Sequence, residues 1–123
     1  MAEKKDVMVL DDEPIVGDRL WPALEKEGFH VEVFTDSSAA LERLKEKKFA
    51  VLVTDVRMRG PSGMDVLRFV AENAPQTKVI VITGYASIEA SHEADAFGAA
   101  HFIPKPFKIQ ELVKLVVKSS KRA

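Results

Sequence analysis

Cysteine is absent from the 123 residues. That excludes disulfide staples and thiolate metal sites, and it fits a reducing compartment. A marked excess of charge of one sign is also lacking: the formal net charge is −1, so no global field draws the chain to nucleic acid or to an anionic membrane. No apolar run approaches the roughly 20 residues that a membrane-crossing helix needs. The opening Met1-Ala2-Glu3-Lys4-Lys5-Asp6 is polar, unlike a signal peptide, and there is no low-complexity segment. The expectation is one soluble, cytoplasmic domain over residues 1–123, large enough for a real core and too small for two. Its basic end, Lys118-Ser119-Ser120-Lys121-Arg122-Ala123, is expected to become a flexible tail or the start of a linker from about residue 119.

What is present is a series of short apolar runs that end on polar residues. Phe49-Ala50-Val51-Leu52-Val53-Thr54-Asp55 is rich in β-branched residues and stops on a carboxylate. An unbroken apolar run of this length fits a strand covered on both faces. Val7-Met8-Val9-Leu10 likewise runs into Asp11-Asp12-Glu13, and Lys78-Val79-Ile80-Val81-Ile82 runs into Thr83-Gly84. His30–Phe34 alternates like a strand with one face more exposed, and His101–Lys105 reads as a strand whose Pro104 points to a sheet edge. Helical spacing lies between these runs. Pro14 opens a helix with Val16, Leu20 and Leu24 inward and Gly28 at its end, and Pro22 inside it is expected to kink or split it.

Asp36 or Ser37 caps a helix carrying Ala40, Leu41 and Leu44, with Lys45, Lys47 and Lys48 complementing its dipole. Ser62 and Asp65 resemble a capping box ahead of Leu67, Val70 and Ala71. Ile88 to Phe97 reads as a short helix stopped by Gly98, and Ile109, Leu112, Val113 and Val116 form the inward stripe of a last helix. Strand and helix alternate five times. The expected fold class is α/β: a five-stranded parallel sheet, doubly wound, with helices on both faces.

In such a sheet, ligands bind outside the carboxyl ends of the strands, and the first and third strands can be neighbours. Asp11, Asp12, Asp55, Thr83 and Lys105 all follow strands, so they are expected at one edge. Two carboxylates about 4 Å apart repel by about 4 kcal/mol at an effective dielectric near 20, so three must take up protons or share a cation. An open, oxygen-only site favours Mg2+, with Mn2+ as a substitute. Lys105 offers a point charge suited to a phosphoryl group and Thr83 a hydroxyl donor. An aspartate beside a metal, an ammonium and a hydroxyl is equipped to attack phosphorus and hold it as an acyl phosphate.

The chain resembles the receiver domain of two-component response regulators over essentially its whole length. The likeness rests on Asp11-Asp12-Glu13, on Asp55 with Met58 and Gly63, on Thr83-Gly84-Tyr85, and on Gly98-Ala99 with Phe102-Ile103-Pro104-Lys105-Pro106-Phe107. It implies a flavodoxin-like strand order of 2-1-3-4-5 and a phosphorylation-activated signalling switch rather than an enzyme. By position, Asp55 is then the phosphoacceptor for a phosphohistidine on a sensor histidine kinase or phosphotransfer protein. Asp12, Asp55 and the backbone carbonyl of Arg57 are the metal ligands, with Asp11 acting through water. Lys105 pairs with phosphoryl oxygens, while Thr83 and Phe102 remodel the face of the fourth helix, fifth strand and fifth helix toward a partner or output domain. The same likeness implies a cis Lys105–Pro106 bond, and leaves open an oligomeric state set by phosphorylation. Arg59 stands where the family often has proline, so the adjoining loop is expected to be shaped or charged differently. Arg57 and Tyr85 occupy positions that, in members of that family, tune acyl-phosphate lifetime.

Plainer roles exist for each residue. A strand-end aspartate, threonine or lysine often serves as a cap or a solvated group, Phe102 as core, and His30, His92 and His101 as surface or packing residues. Glu13 reads as a first-turn partner of the helix dipole rather than a ligand. Two other functions fit the fold: a phosphorylation-independent interaction module, and a metal-dependent aspartyl-phosphate hydrolase. The second is disfavoured because Arg57 stands where such enzymes place an acid/base carboxylate two residues after the nucleophile.

Overall fold

The computed structural model describes residues 4–55, 63–84 and 98–121. Its elements in chain order are β1 (Asp6–Leu10), α1 (Pro14–Lys26), β2 (His30–Phe34), α2 (Ser37–Glu46), β3 (Val51–Asp55), α3 (Gly63–Asn73), β4 (Lys78–Thr83), β5 (His101–Pro104) and, last, α4 (Ile109–Ser120). The strands form one parallel sheet in the order β2-β1-β3-β4-β5. The expected order is therefore observed, with the Pro104 strand on an edge. No helix among the described residues is long and apolar enough to cross a membrane.

Alternation along the strands divides the interior into two layers. Met8, Leu10, Leu52, Val79 and Val81 face one side, where Ala40 and Leu44 of α2 and Val66, Leu67 and Val70 of α3 cover them. Val7, Val9, Val53, Ile80 and Ile82 face the other, against Leu20 and Leu24 of α1 and Leu112, Val113 and Val116 of α4. Because β1, β3 and β4 are covered on both sides, their sequences are apolar at nearly every position. β3 is buried throughout, Asp55 included.

Local chemistry fixes the helix ends. Pro14 is the first residue of α1, where its missing N–H costs nothing. Gly28 ends that helix with φ at +97°, a conformation that side chains with a Cβ avoid. Asp36 caps α2 by accepting from the Ser38 N–H at 3.1 Å. α1 is not split at Pro22; one helix spans it, because Leu20 and Leu24 on either side are fully buried against the sheet and hold the segment in place. Ala71, expected inward with Leu67 and Val70, is exposed; Val66 joins Leu67 and Val70 on the buried side of α3 instead. α4 runs to Ser120, and the Lys105–Pro106 bond is cis. The expected capping residue Ser62 and the expected helix from Ile88 to Phe97, with His92, lie outside the described residues.

Candidate functional site

Register places the acidic residues side by side. Leu10 pairs with Thr54 across β1 and β3, so the next residue of each chain, Asp11 and Asp55, falls at the same level. Adjacent strands are about 4.8 Å apart. Period-two alternation then puts Asp11 with Val7 and Val9, and Asp55 with Val51 and Val53, on the α1/α4 side. The backbone ladder extends to Asp11, whose N–H donates to the Phe34 carbonyl at 3.1 Å. Oxygen atoms of Asp11, Asp12 and Asp55 all lie within 4.8 Å of one another.

Lys105 follows β5, two strands away from β3, and its long side chain reaches back across the end of β4. Its Nζ lies 2.7 Å from Asp11 Oδ2, 2.9 Å from Asp55 Oδ2 and 2.6 Å from Glu13 Oε1. Side-chain exposure grades outward through the cluster: 1% for Asp11, 6% for Asp55, 15% for Lys105 and 61% for Glu13. Asp12 is exposed at the mouth.

Electrostatics follow from that grading. Burial pushes the Asp11 carboxyl above the ordinary carboxylate range, against the opposing pull of Lys105 and of the Glu13 N–H, which donates to Asp11 Oδ1 at 2.8 Å. Burial alone would lower the Lys105 ammonium, but the adjacent carboxylates of Asp11, Glu13 and Asp55 outweigh it and raise the group above the usual lysine range. Lys105 is therefore charged at any working pH. Among the described residues, Asp11, Glu13 and Asp55 surround the Lys105 ammonium, and Asp12 joins the cluster through Asp11 and Asp55. The clustered oxygens of Asp11, Asp12 and Asp55 are all hard donors, which fits a divalent ion that would keep some of its water.

The structure thus brings together Asp11, Asp12, Asp55 and Lys105, as expected from the strand ends. Thr83 ends β4 with its backbone opposite Pro104; its side chain lies outside the described residues, as do Arg57, Met58, Arg59 and Tyr85. Phe102 of β5 pairs with Val81 and packs, partly buried, against the α2/α3 layer. Glu13 differs from expectation. It is the N-cap residue of α1 but makes no side-chain capping bond, and its carboxylate is engaged by Lys105. The available signal was stoichiometric, since a lone ammonium amid several acids has more than one donor to fill. His30 is a surface partner of Asp6 at 2.9 Å.

Comparison with known proteins agrees with this geometry. Residues 7–117 match the model of the response regulator receiver domain. The chain is 34% identical over 114 residues to the response regulator receiver protein CpdR of Brucella abortus, covering 93% of this chain and 95% of that protein. It is 30% identical over 123 residues to the transcriptional regulatory protein FixJ of Bradyrhizobium diazoefficiens, of which it spans 60%. A CheY-like receiver domain structure from Methanospirillum hungatei superposes with a TM-score of 0.92 at 26% identity, over 96% of this chain and 94% of that one. A carboxylate cluster at the switch edge of a 2-1-3-4-5 parallel sheet, together with a family match over nearly the whole length, establishes that this chain belongs to the response regulator receiver domains of two-component signal transduction.

Proposed function

We propose that Asp55 is the phosphoacceptor of a signalling switch, taking its phosphoryl group from a phosphohistidine on a sensor histidine kinase or phosphotransfer protein. The observation that carries the reading is the Asp55 carboxylate itself: held at the end of a central strand, reached by Lys105 at 2.9 Å, and grouped with Asp11 and Asp12 within 4.8 Å. An Asp55 oxygen bonds to phosphorus as the phosphorus–nitrogen bond of the donor breaks, and the imidazole leaves with the electron pair. Lys105 meets the negative charge on the transferred oxygens and keeps its protons.

Asp12 and Asp55, with the Arg57 carbonyl and with Asp11 behind water, are the residues that would hold Mg2+, or Mn2+ in its place. When bound, the ion supplies charge neutralisation of the phosphoryl oxygens. Thr83 and Phe102 are the residues proposed to pass the change to the fourth-helix, fifth-strand and fifth-helix face expected from the sequence, of which β5 and α4 are described. The output is then a partner protein or a linked domain, an arrangement that the likeness to both CpdR and FixJ supports. Two-component receivers work as phosphoacceptors rather than turnover enzymes, and the absence of an acid/base carboxylate two residues after Asp55 is in keeping with that.

Incubation with acetyl phosphate and Mg2+ tests the reading. One phosphoryl group per chain, acid-stable and base-labile, is expected by intact mass, with none on D55N. Multiple turnover of a specific phosphate ester would favour a hydrolase, and no adduct at all would favour an interaction module.

A further inference from the structure

The ammonium of Lys105 has three N–H donors, and three carboxylate oxygens stand 2.6 to 2.9 Å from it. Glu13 and Asp55 accept hydrogen bonds from it, and Asp11 Oδ2 stands against it as an ion pair; with three oxygens this close, a phosphoryl oxygen arriving at Asp55 finds room on Lys105 when one of them moves away. Asp11 is buried and held in place by the Glu13 N–H at 2.8 Å, so releasing it strands a charge without water. Asp55 is the group under attack. Glu13 is the remaining one: 61% exposed, on a flexible side chain, and rehydrated as soon as it lets go. Glu13 and Lys105 also line the same open cleft of about 510 Å³, with Arg19, Gly84, Pro106 and Phe107.

We propose that Glu13 is a positioning residue that stands in for the incoming phosphoryl oxygen: its carboxylate accepts a hydrogen bond from Lys105 until transfer, and so sets how fast Asp55 is phosphorylated. The inference rests on the phosphoacceptor reading of Asp55. With acetyl phosphate as donor, the Asp55 oxygen bonds to phosphorus while the bond from phosphorus to the acetyl oxygen breaks, and acetate leaves with the electron pair. No proton moves from Lys105. One ammonium hydrogen bond passes from Glu13 to a phosphoryl oxygen, and Glu13 turns to water.

Three variants separate reach from charge. Glu13→Ala removes both the carboxylate and its contact. Glu13→Asp keeps the charge but is one methylene too short to hold the ammonium at its present position. Glu13→Gln keeps the length with a weaker acceptor. At saturating Mg2+, initial rates with acetyl phosphate are expected to rise about 3- to 10-fold in Glu13→Ala and in Glu13→Asp, the scale of one charge-assisted hydrogen bond at a half-open site, with Glu13→Gln between them and the unaltered chain.

A second readout needs no phosphorylation. In metal-free protein labelled with ¹⁵N-lysine, the Lys105 ammonium protons should exchange with water faster in Glu13→Ala and Glu13→Asp. The proposal is overturned if Glu13→Asp keeps the original rate while Glu13→Ala rises, which is a field effect alone. It is likewise overturned if rates fall, or if ammonium exchange is unchanged. Should the unaltered chain take up no phosphoryl group, the Asp55 reading fails, and the ammonium arm still decides whether Glu13 holds Lys105.

Discussion

Replacing Lys105 by methionine keeps most of the side chain's volume and deletes its charge, so the cost measures what the ammonium does for the pocket. Oxygens of Asp11 and Asp55 within 4.8 Å of each other repel by roughly 3–4 kcal/mol at an effective dielectric near 20. Breaking a buried ion pair from one side costs about 3–5 kcal/mol, because the remaining charge is left uncompensated. The pocket opens to water at Glu13 and Asp12, which screens part of this, so a loss of about 2–4 kcal/mol is expected for K105M at pH 8 in chelator. For a domain of this size that is a fall in Tm of roughly 8–15 °C.

The loss should depend on pH in one direction. In K105M the Asp11 carboxyl, already raised by burial, loses its opposing cation and rises further. A carboxyl raised in the folded state contributes stability that is fully present below its unfolded value, near 4, and is lost as pH climbs through the folded value. The deficit of K105M should therefore shrink between pH 8 and pH 5. Excess Mg2+ at pH 8 should restore more stability to K105M than it adds to the unaltered chain. Urea denaturation at the two pH values, with and without Mg2+, reads all of this. A deficit below about 1 kcal/mol, or one equal at both pH values, would refute the reasoning, since the ammonium would then not be what makes the buried acids tolerable.

Other consequences are simpler to test. D12N should leave the Mg2+-free stability within about 0.5 kcal/mol, because Asp12 is exposed, while removing at least half of the Mg2+-induced rise in Tm; an undiminished rise would remove Asp12 from the ligand set. A Cβ on Gly17 of α1 would stand 2.3 Å from Val33 Cγ1 of β2. G17A should thus destabilise by about 1–2 kcal/mol despite alanine's better helix propensity, and V33A in the same chain should recover most of it in urea melts. Glu32 accepts from Arg43 at 2.8 and 3.0 Å, which holds its carboxyl below the usual range against the opposing effect of burial. That stabilisation is present above the unfolded glutamate value and lost as pH falls through the lowered folded one. The Tm difference between the unaltered chain and E32Q should accordingly be largest near neutrality and close in acid; a constant difference from pH 7 to pH 3 would contradict the pairing.

The centre of the sheet was legible because β1, β3 and β4 each combine an apolar run with a polar stop, and because parallel pairing turns those stops into one edge. Val51–Asp55 and Lys78–Thr83 were bounded by composition alone. Asp11, Asp12, Asp55 and Lys105 could be gathered from the neighbouring places of the first and third strands. Side-chain economy was harder to read. Glu13 follows two acids at a helix start, a position where dipole complementarity is the ordinary explanation, and only the reach of Lys105 across β4 shows where its carboxylate is engaged. Pro22 was expected to kink or split α1; it does not split it, since burial of Leu20 and Leu24 outweighs one missing hydrogen bond. Ala71 was misplaced because alanine fits either face of a helix, and the larger Val66 decides which side of α3 turns inward.

The central claim is that the carboxylate closing β3 is the one esterified by phosphate. Borohydride reduction after incubation with acetyl phosphate and Mg2+, followed by tandem mass spectrometry, assigns the modified residue directly. The account predicts homoserine at position 55, formed only when Mg2+ and phosphodonor are both present. Reduction product at Asp11, Asp12 or Glu13 with Asp55 intact would contradict it.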